Sequence, residues 1–255
     1  MKYFMHIPKT AGTSLRAAVF GASTTSVHIR QIYSGADVEG ILKDKDSLSE
    51  NTILFGHFSY GLHILLQDER PDYATVLRDP VLRVASLYNH HCRFESSPLH
   101  GLLNQRKLTL TDFVESCITP ETNNEMVRCL SASYKLLPLW ADRFANRWWR
   151  LTRGVPTRQI HEKFRLKRAL LNVEKTFSHV GCVEDLAPTA RLLEGWMGLA
   201  RGSLSLGHEN KFEGSGSKLT AEEYRAITNA NDLDIELYEK LKNSLLFSSS
   251  NVAAR

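Results

Sequence analysis

Two stretches of the chain gather residues that could handle an anion. The first, HIPKTAGTS at residues 6–14, sets Lys9, Ala11, Gly12 and the hydroxyls of Thr10, Thr13 and Ser14 between an apolar run and a helical one. A glycine lets backbone N–H groups approach a ligand, a helix N-terminus adds partial positive charge, and a lysine adds a full one; together they suit phosphate or sulfate. The pattern is not the G-x-x-x-x-G-K-[ST] loop, because Lys9 precedes the glycine by three residues. The same letters also suit a plain strand-to-helix turn with a threonine cap and a solvated lysine. The second stretch, VLRDPVLRVASLYNHH at residues 76–91, puts Arg78 at the end of an apolar run and Ser86 eight residues later. Arg83 and Ser86, three apart, share a helix face. An arginine fork beside a hydroxyl suits a phosphate monoester. The plainer alternative pairs Arg78 with Asp79 and leaves Ser86 on a helix surface.

The elements that must position these groups alternate short apolar runs with helical patterns. Residues 2–7 predict a buried strand, 8–12 a loop, and 13–20 the start of a helix. Residues 52–58 and 73–77 predict two further strands. Asp79 is a good N-cap and Pro80 a good first helical residue for a helix running toward Phe94. Residues 178–183 predict another strand. A last helix begins near Leu219, where Thr220 and Glu223 have capping-box spacing, and continues with interruptions to Leu246. Interleaved strands and helices imply an α/β fold with a mainly parallel sheet, in which ligands bind at the carboxyl ends of strands.

Composition bounds the rest. The chain has 255 residues, 42% hydrophobic and 24% charged, with 15 Gly and 8 Pro, which excludes collagenous, low-complexity and disordered classes. Its four cysteines (Cys92, Cys117, Cys129 and Cys182) form no C-x-x-C pair, which argues against a zinc ribbon or a disulfide framework and fits a reducing compartment. The apolar run before Pro8 is too short for a signal-peptide core, and no window approaches a membrane span, so a cytoplasmic protein is expected. One domain over 1–247 with a loose tail at 248–255 is expected.

The formal charge of +4 is unevenly spread. Between Arg143 and Arg168 nine basic residues face one acid, Glu162, a local +8 that leaves −4 for the remainder. Within 139–151, Trp140, Phe144, Trp148 and Leu151 fall on one helical face, and Arg143, Arg147 and Arg150 on an adjacent one. This pattern fits either an aromatic core face backed by solvated charge, or a rim that attracts an anionic acceptor. No nucleic-acid motif accompanies the charge, so nucleic acid is not expected as a partner.

Taken together, HIPKTAGTS and RDPVLRVASLY resemble the 5′-phosphosulfate loop and the 3′-phosphate motif of sulfotransferases that use 3′-phosphoadenosine 5′-phosphosulfate (PAPS). The likeness is greatest to the carbohydrate branch that includes heparan sulfate 2-O-sulfotransferase and uronyl sulfotransferase. It continues through GHFSYG (56–61), NNEMVRCLS (123–131), VGCVEDL (180–186) and the closing KLTAEEY…DLDIELYEKL, and skips 135–175. The resemblance implies a P-loop NTPase-like three-layer fold whose central, mainly parallel sheet is flanked by helices. It implies Lys9, Thr10, Ala11, Gly12, Thr13 and Ser14 around the 5′-phosphosulfate, and Arg78 and Ser86 on the 3′-phosphate. It implies His57 as catalytic base; the second histidine that the branch carries two residues earlier is Phe55 here, and His57 otherwise reads as a turn residue. The loop 210–217 falls in the place of a segment that covers the cofactor, and the resemblance implies that Lys211 in it reaches the 3′-phosphate. Asn124 and Arg128 are expected near cofactor or acceptor, although a helix with one buried face predicts the same letters.

Sulfuryl transfer, like phosphoryl transfer, is mostly positioning and charge stabilisation. Lys9 is expected to offset charge on the departing phosphate, with adenosine 3′,5′-bisphosphate as product. The acceptor is expected to be a hydroxyl on a carbohydrate, with Arg143 and Arg147 attracting an anionic one. No metal is expected, because the sulfuryl group carries less charge than a γ-phosphate and no second acidic strand end is evident. Two other classes are kept open: an ATP-dependent phosphotransferase, against which stand the Lys-before-Gly order and the Arg78/Ser86 pair, and a non-catalytic sulfate- or glycan-binding module, against which stands His57.

Overall fold

Among the described residues side chains alternate across five short strands, and that alternation builds the fold. The computed structural model describes residues 1–22, 27–132, 158–204 and 219–243. The strands are β1 (Lys2–Met5), β2 (His28–Ile32), β3 (Thr52–Gly56), β4 (Asp72–Leu77) and β5 (Phe177–Cys182). They form one all-parallel sheet in the order β2-β3-β1-β4-β5. In register, Tyr3 sits beside Leu54 on one side and Tyr73 on the other, and Phe4 beside Phe55 and Ala74.

Successive strand residues point to opposite faces, so each face receives its own core. On one face Tyr3, Met5, Leu54, Tyr73 and Val180 pack with α2 (Gly35–Lys43), α7 (Glu125–Ser131), α8 (Arg158–Thr176) and α11 (Asp232–Lys242). On the other, Phe4, Ile53, Phe55 and Val76 pack with α1 (Gly12–Ala22) and α9 (Leu186–Met197). A third cluster joins α4 (Pro80–Arg93), α5 (His100–Gln105), α6 (Leu110–Glu115) and α10 (Ala221–Ala230) beside the sheet. The short α3 (Leu62–Leu65) links β3 to β4. The result is an α/β sheet flanked by helices. Among the described residues no helix is long and apolar enough to cross a membrane.

The caps expected at the two helix starts are present. Leu82 N–H donates to Asp79 Oδ1 at 3.0 Å with Pro80 in the first turn, and Thr220 and Glu223 make the reciprocal capping box. Several boundaries differ from expectation: β3 stops at Gly56, and β4 and β5 each begin one residue earlier. β1 ends at Met5, although His6 N–H still donates to Gly56 O at 2.8 Å, before Pro8 removes the next useful donor. The terminal helix has the interruption expected of it, which falls at Asn231 between α10 and α11. β2 lacks an apolar run altogether: HIRQI is an edge strand whose polar side chains face out, a composition that discourages further strand addition.

Candidate functional site

β3, β1 and β4 are neighbours in the sheet, and their carboxyl ends bring the proposed chemistry together. After β1, Lys9 (φ 70°) and Ala11 (φ 61°) both adopt left-handed backbone, a conformation that costs a residue with a Cβ of order 1–3 kcal/mol. Alternation of this kind turns successive N–H groups into a concavity that suits an anion. Thr10 is buried, and its Oγ1 donates to Ile7 O at 2.8 Å, tying the loop to itself. α1 begins at Gly12, so the N–H groups of Gly12, Thr13 and Ser14 belong to the first turn, where a helix offers them no partner. Ser14 is half-buried there.

Arg78 follows β4 directly, and its Nη1 donates to Lys9 O at 3.2 Å, which clamps the loop from the neighbouring strand. Its Nε is buried and has no partner among the described residues. Burial and the adjacent Arg78 charge both push the Lys9 ammonium below its ordinary pKa. Two cations held this close gain from an anion between them. Ser86 lies in the second turn of α4, half-buried, on the helix that starts two residues after Arg78. Glu184, just beyond β5, accepts from Asp79 N–H at 3.0 Å and from Tyr238 Oη at 2.9 Å, and its charge bears on Arg78. The carboxylates of Asp79 and Glu184 are thereby engaged in holding the start of α4.

His57 follows β3. Gly56 makes its placement possible: its φ is 153°, and a Cβ there would lie 1.8 Å from Ile32 O. With that close approach allowed, His57 N–H donates to Ile32 O at 2.7 Å and the imidazole turns toward β1. Its Nδ1 lies 2.9 Å from His6 O. A carbonyl oxygen only accepts, so Nδ1 carries the proton and Nε2 is left as the basic nitrogen. The ring stacks on His6 (centroids 4.4 Å apart, 29° between planes) and meets Tyr33 edge-on at 5.1 Å, while Arg16 lies 5.3 Å over the Tyr33 ring. One part of His57 remains open to solvent. Desolvation by these neighbours holds its pKa below the usual histidine value, against a smaller upward pull from the His6 carbonyl and from Glu121.

Phe55, where the resembled branch has its other histidine, stacks on Phe4 at 4.8 Å within the core. The histidine beside His57 comes from the end of β1 instead. His6, Tyr33, Arg16 and Glu121 were not singled out by sequence reasoning. His6 is hidden inside an apolar run, Tyr33 follows an unrecognised strand, and Arg16 reads as an ordinary exposed helix residue.

Asn124 and Arg128 lie in a different arrangement. Asn124 Oδ1 accepts from Leu233 N–H and Asp234 N–H, each at 3.0 Å, and so caps α11. Asp234 in return accepts from Met126 N–H (3.0 Å) and Val127 N–H (2.8 Å), capping α7. Arg128 pairs with Glu125, and the fully buried Arg83 donates to Glu121 O at 2.9 Å. Asn124 thus has its side chain committed to a reciprocal helix lock, the structural alternative that the letters of 123–131 allowed. Asn124→Ala leaves two buried N–H groups unpaired and is expected to lower unfolding stability by about 2–4 kcal/mol. Urea denaturation together with bisphosphate titration checks this: stability falls while ligand affinity is unchanged.

Lys211, Arg143 and Arg147, and with them the aromatic and basic faces expected over 139–151, lie outside the described residues. The groups that do converge are a lysine-bearing N–H loop, an arginine clamp and a histidine whose Nε2 has no hydrogen-bond partner among the described residues, on three adjacent strand ends. Such a set can bind an oxyanion and remove a proton beside it. No protein-family model matches the chain, and no curated protein matches it in sequence.

Proposed function

We propose that this protein is a sulfotransferase that moves the sulfuryl group of PAPS to a hydroxyl, with a carbohydrate as acceptor. The observation that carries the reading is the convergence of the Lys9 loop, Arg78 and His57, tied together by Arg78 Nη1 to Lys9 O (3.2 Å) and His57 Nδ1 to His6 O (2.9 Å). The residues present fit a nucleotide with an anionic group at each end. The left-handed loop and the first turn of α1 offer N–H groups to one end, and Arg78, with a buried Nε lacking a partner, offers a donor to the other. A central β1 that opens into this loop at its carboxyl end also agrees with a P-loop-like sheet.

When bound, PAPS supplies an activated sulfuryl group on a phosphate leaving group. The loop N–H groups and Lys9 would hold that phosphosulfate end, their positive charge favouring a leaving oxygen that gains negative charge. Arg78 and Ser86 would hold the 3′-phosphate. His57 Nε2 takes the proton of the acceptor hydroxyl, and the His6 carbonyl keeps the ring in the required tautomer. Tyr33, edge-on to His57, and Arg16 over the Tyr33 ring offer an apolar surface and a positive charge to an incoming sugar.

A thermal-shift series tests the donor. Adenosine 3′,5′-bisphosphate at about 100 times its Kd is expected to stabilise the fold by about 2.7 kcal/mol, and more than ATP with magnesium does. Equal stabilisation by the two, or stabilisation by ATP alone, overturns the reading. Incubation with labelled PAPS and a panel of polysaccharides, oligosaccharides and small alcohols identifies the acceptor class.

A further inference from the structure

His6 has a place in the site that packing does not explain. It is 8% exposed, and neither ring nitrogen has a hydrogen-bond partner among the described residues. Leaving a buried polar group unpaired costs free energy that an aliphatic side chain of similar size avoids. His91, 7% exposed, differs in this respect, since its Nδ1 meets Ser97 Oγ. The His6 ring is seated against the first residue of α1: a Cβ on Gly12 would lie 1.6 Å from both Nε2 and Cε1. Glycine at position 12 is therefore what admits the imidazole under the helix start. Another neighbour is the His57 ring at 4.4 Å. His6 thus borders both the first residue of α1 and the His57 ring, close enough to Lys9 to feel its charge.

We infer that His6 is a ligand-binding residue of this site: its neutral imidazole donates a ring N–H to an oxygen of the sulfate or phosphate group seated on the Lys9–Ser14 loop. A neutral imidazole has one donor to give, and an anion is the partner that gains most from it. Burial first, and then the charges of His57 and Lys9, keep the ring neutral. The inference rests on the reading of this loop as a phosphosulfate site.

The test is calorimetric titration of adenosine 3′,5′-bisphosphate into the wild-type chain, His6→Leu, His6→Asn and His6→Gln, with the melting temperature of each ligand-free protein. His6→Leu is expected to melt no lower than wild type, because two unpaired nitrogens are removed, yet to bind bisphosphate at least about tenfold more weakly. One of the two amide variants, which keep an N–H near Nδ1 or Nε2, is expected to recover most of that affinity. A folded His6→Leu with wild-type affinity overturns the inference. If that variant does not fold, the ring resonances of His6 in the wild type decide. A shift on saturation with bisphosphate supports the inference, and unmoved signals overturn it. Wild-type binding of ATP with magnesium but not of bisphosphate defeats the sulfotransferase reading alone, and the same variants titrated with ATP then decide His6. Binding of neither ligand defeats both.

Discussion

His57→Ala is expected to lower sulfuryl transfer by about 10²- to 10⁴-fold while bisphosphate still binds with wild-type affinity. The split follows from where the side chain is. Its Nδ1–H is spent on His6 O, so Nε2 is the basic atom, and none of the clamp contacts between Arg78 and the Lys9 loop passes through the ring. The pH profile carries the same information. A base must be neutral to accept the acceptor's proton, and desolvation holds His57 below the ordinary value of 6.5. For the wild type, kcat/KM is therefore expected to be flat through neutrality and to fall only on an acid limb whose midpoint lies below pH 6.5. In His57→Ala the residual activity loses that limb. Steady-state rates from pH 4.5 to 8.5 check both statements. A variant within tenfold of wild type places the base elsewhere, with His90, whose pKa burial and then the Lys9 charge lower, the next residue to replace.

How much of this was legible beforehand depended on whether local sequence and tertiary role agreed. The loop and α4 were legible because their signals are local: Lys9 and Gly12 at a strand-to-helix junction, and Asp79 with Pro80 at a helix start, where the cap is made by Leu82 N–H three residues on. β2 was not, because HIRQI has only two apolar residues, Ile29 and Ile32, which serve opposite faces of the sheet, and its other three positions are polar. His6 was not, because an imidazole inside KYFMHI looks like one more member of an apolar strand. Only the sheet order, which puts β3 against β1, reveals that it meets His57. Asn124 shows the reverse failure. Its letters suit a ligand site and a helix cap equally, and the residues that decide between them, Leu233 and Asp234, lie over a hundred positions away. The break at Asn231 has the same origin, since its Nδ2 bonds Thr122 O at 2.9 Å and Ile227 O at 3.0 Å, a demand no local pattern encodes.

Acid is expected to weaken the fold through His6, and His6→Leu to remove that part of the weakening. An unfolded histidine binds its proton near pH 6.5, whereas burial, with His57 and Lys9 adding to it, pushes folded His6 down to about 3. Between those values the unfolded state holds more protons than the folded one, so stability falls as the pH falls. Above 6.5 the group contributes nothing to the pH dependence. At pH 4.5 its share of the loss is about 2–3 kcal/mol, and below pH 3 it reaches about 5 kcal/mol. Carboxylates also protonate in this range, so the quantity to measure is the difference between wild type and His6→Leu in urea denaturation at pH 7.5 and 4.5. His91, pushed down to about 4 chiefly by burial, works in the same direction and stays in both proteins, so it cancels from that difference. His91→Leu serves as the control: it removes its own share and leaves that of His6. A wild-type loss matched within about 1 kcal/mol by His6→Leu means that the imidazole is not held neutral by the fold, since a buried neutral histidine must express its shift as pH-dependent stability. The expected difference ties the two properties of His6 together. The burial that makes it a neutral donor at physiological pH also makes the fold sensitive to acid.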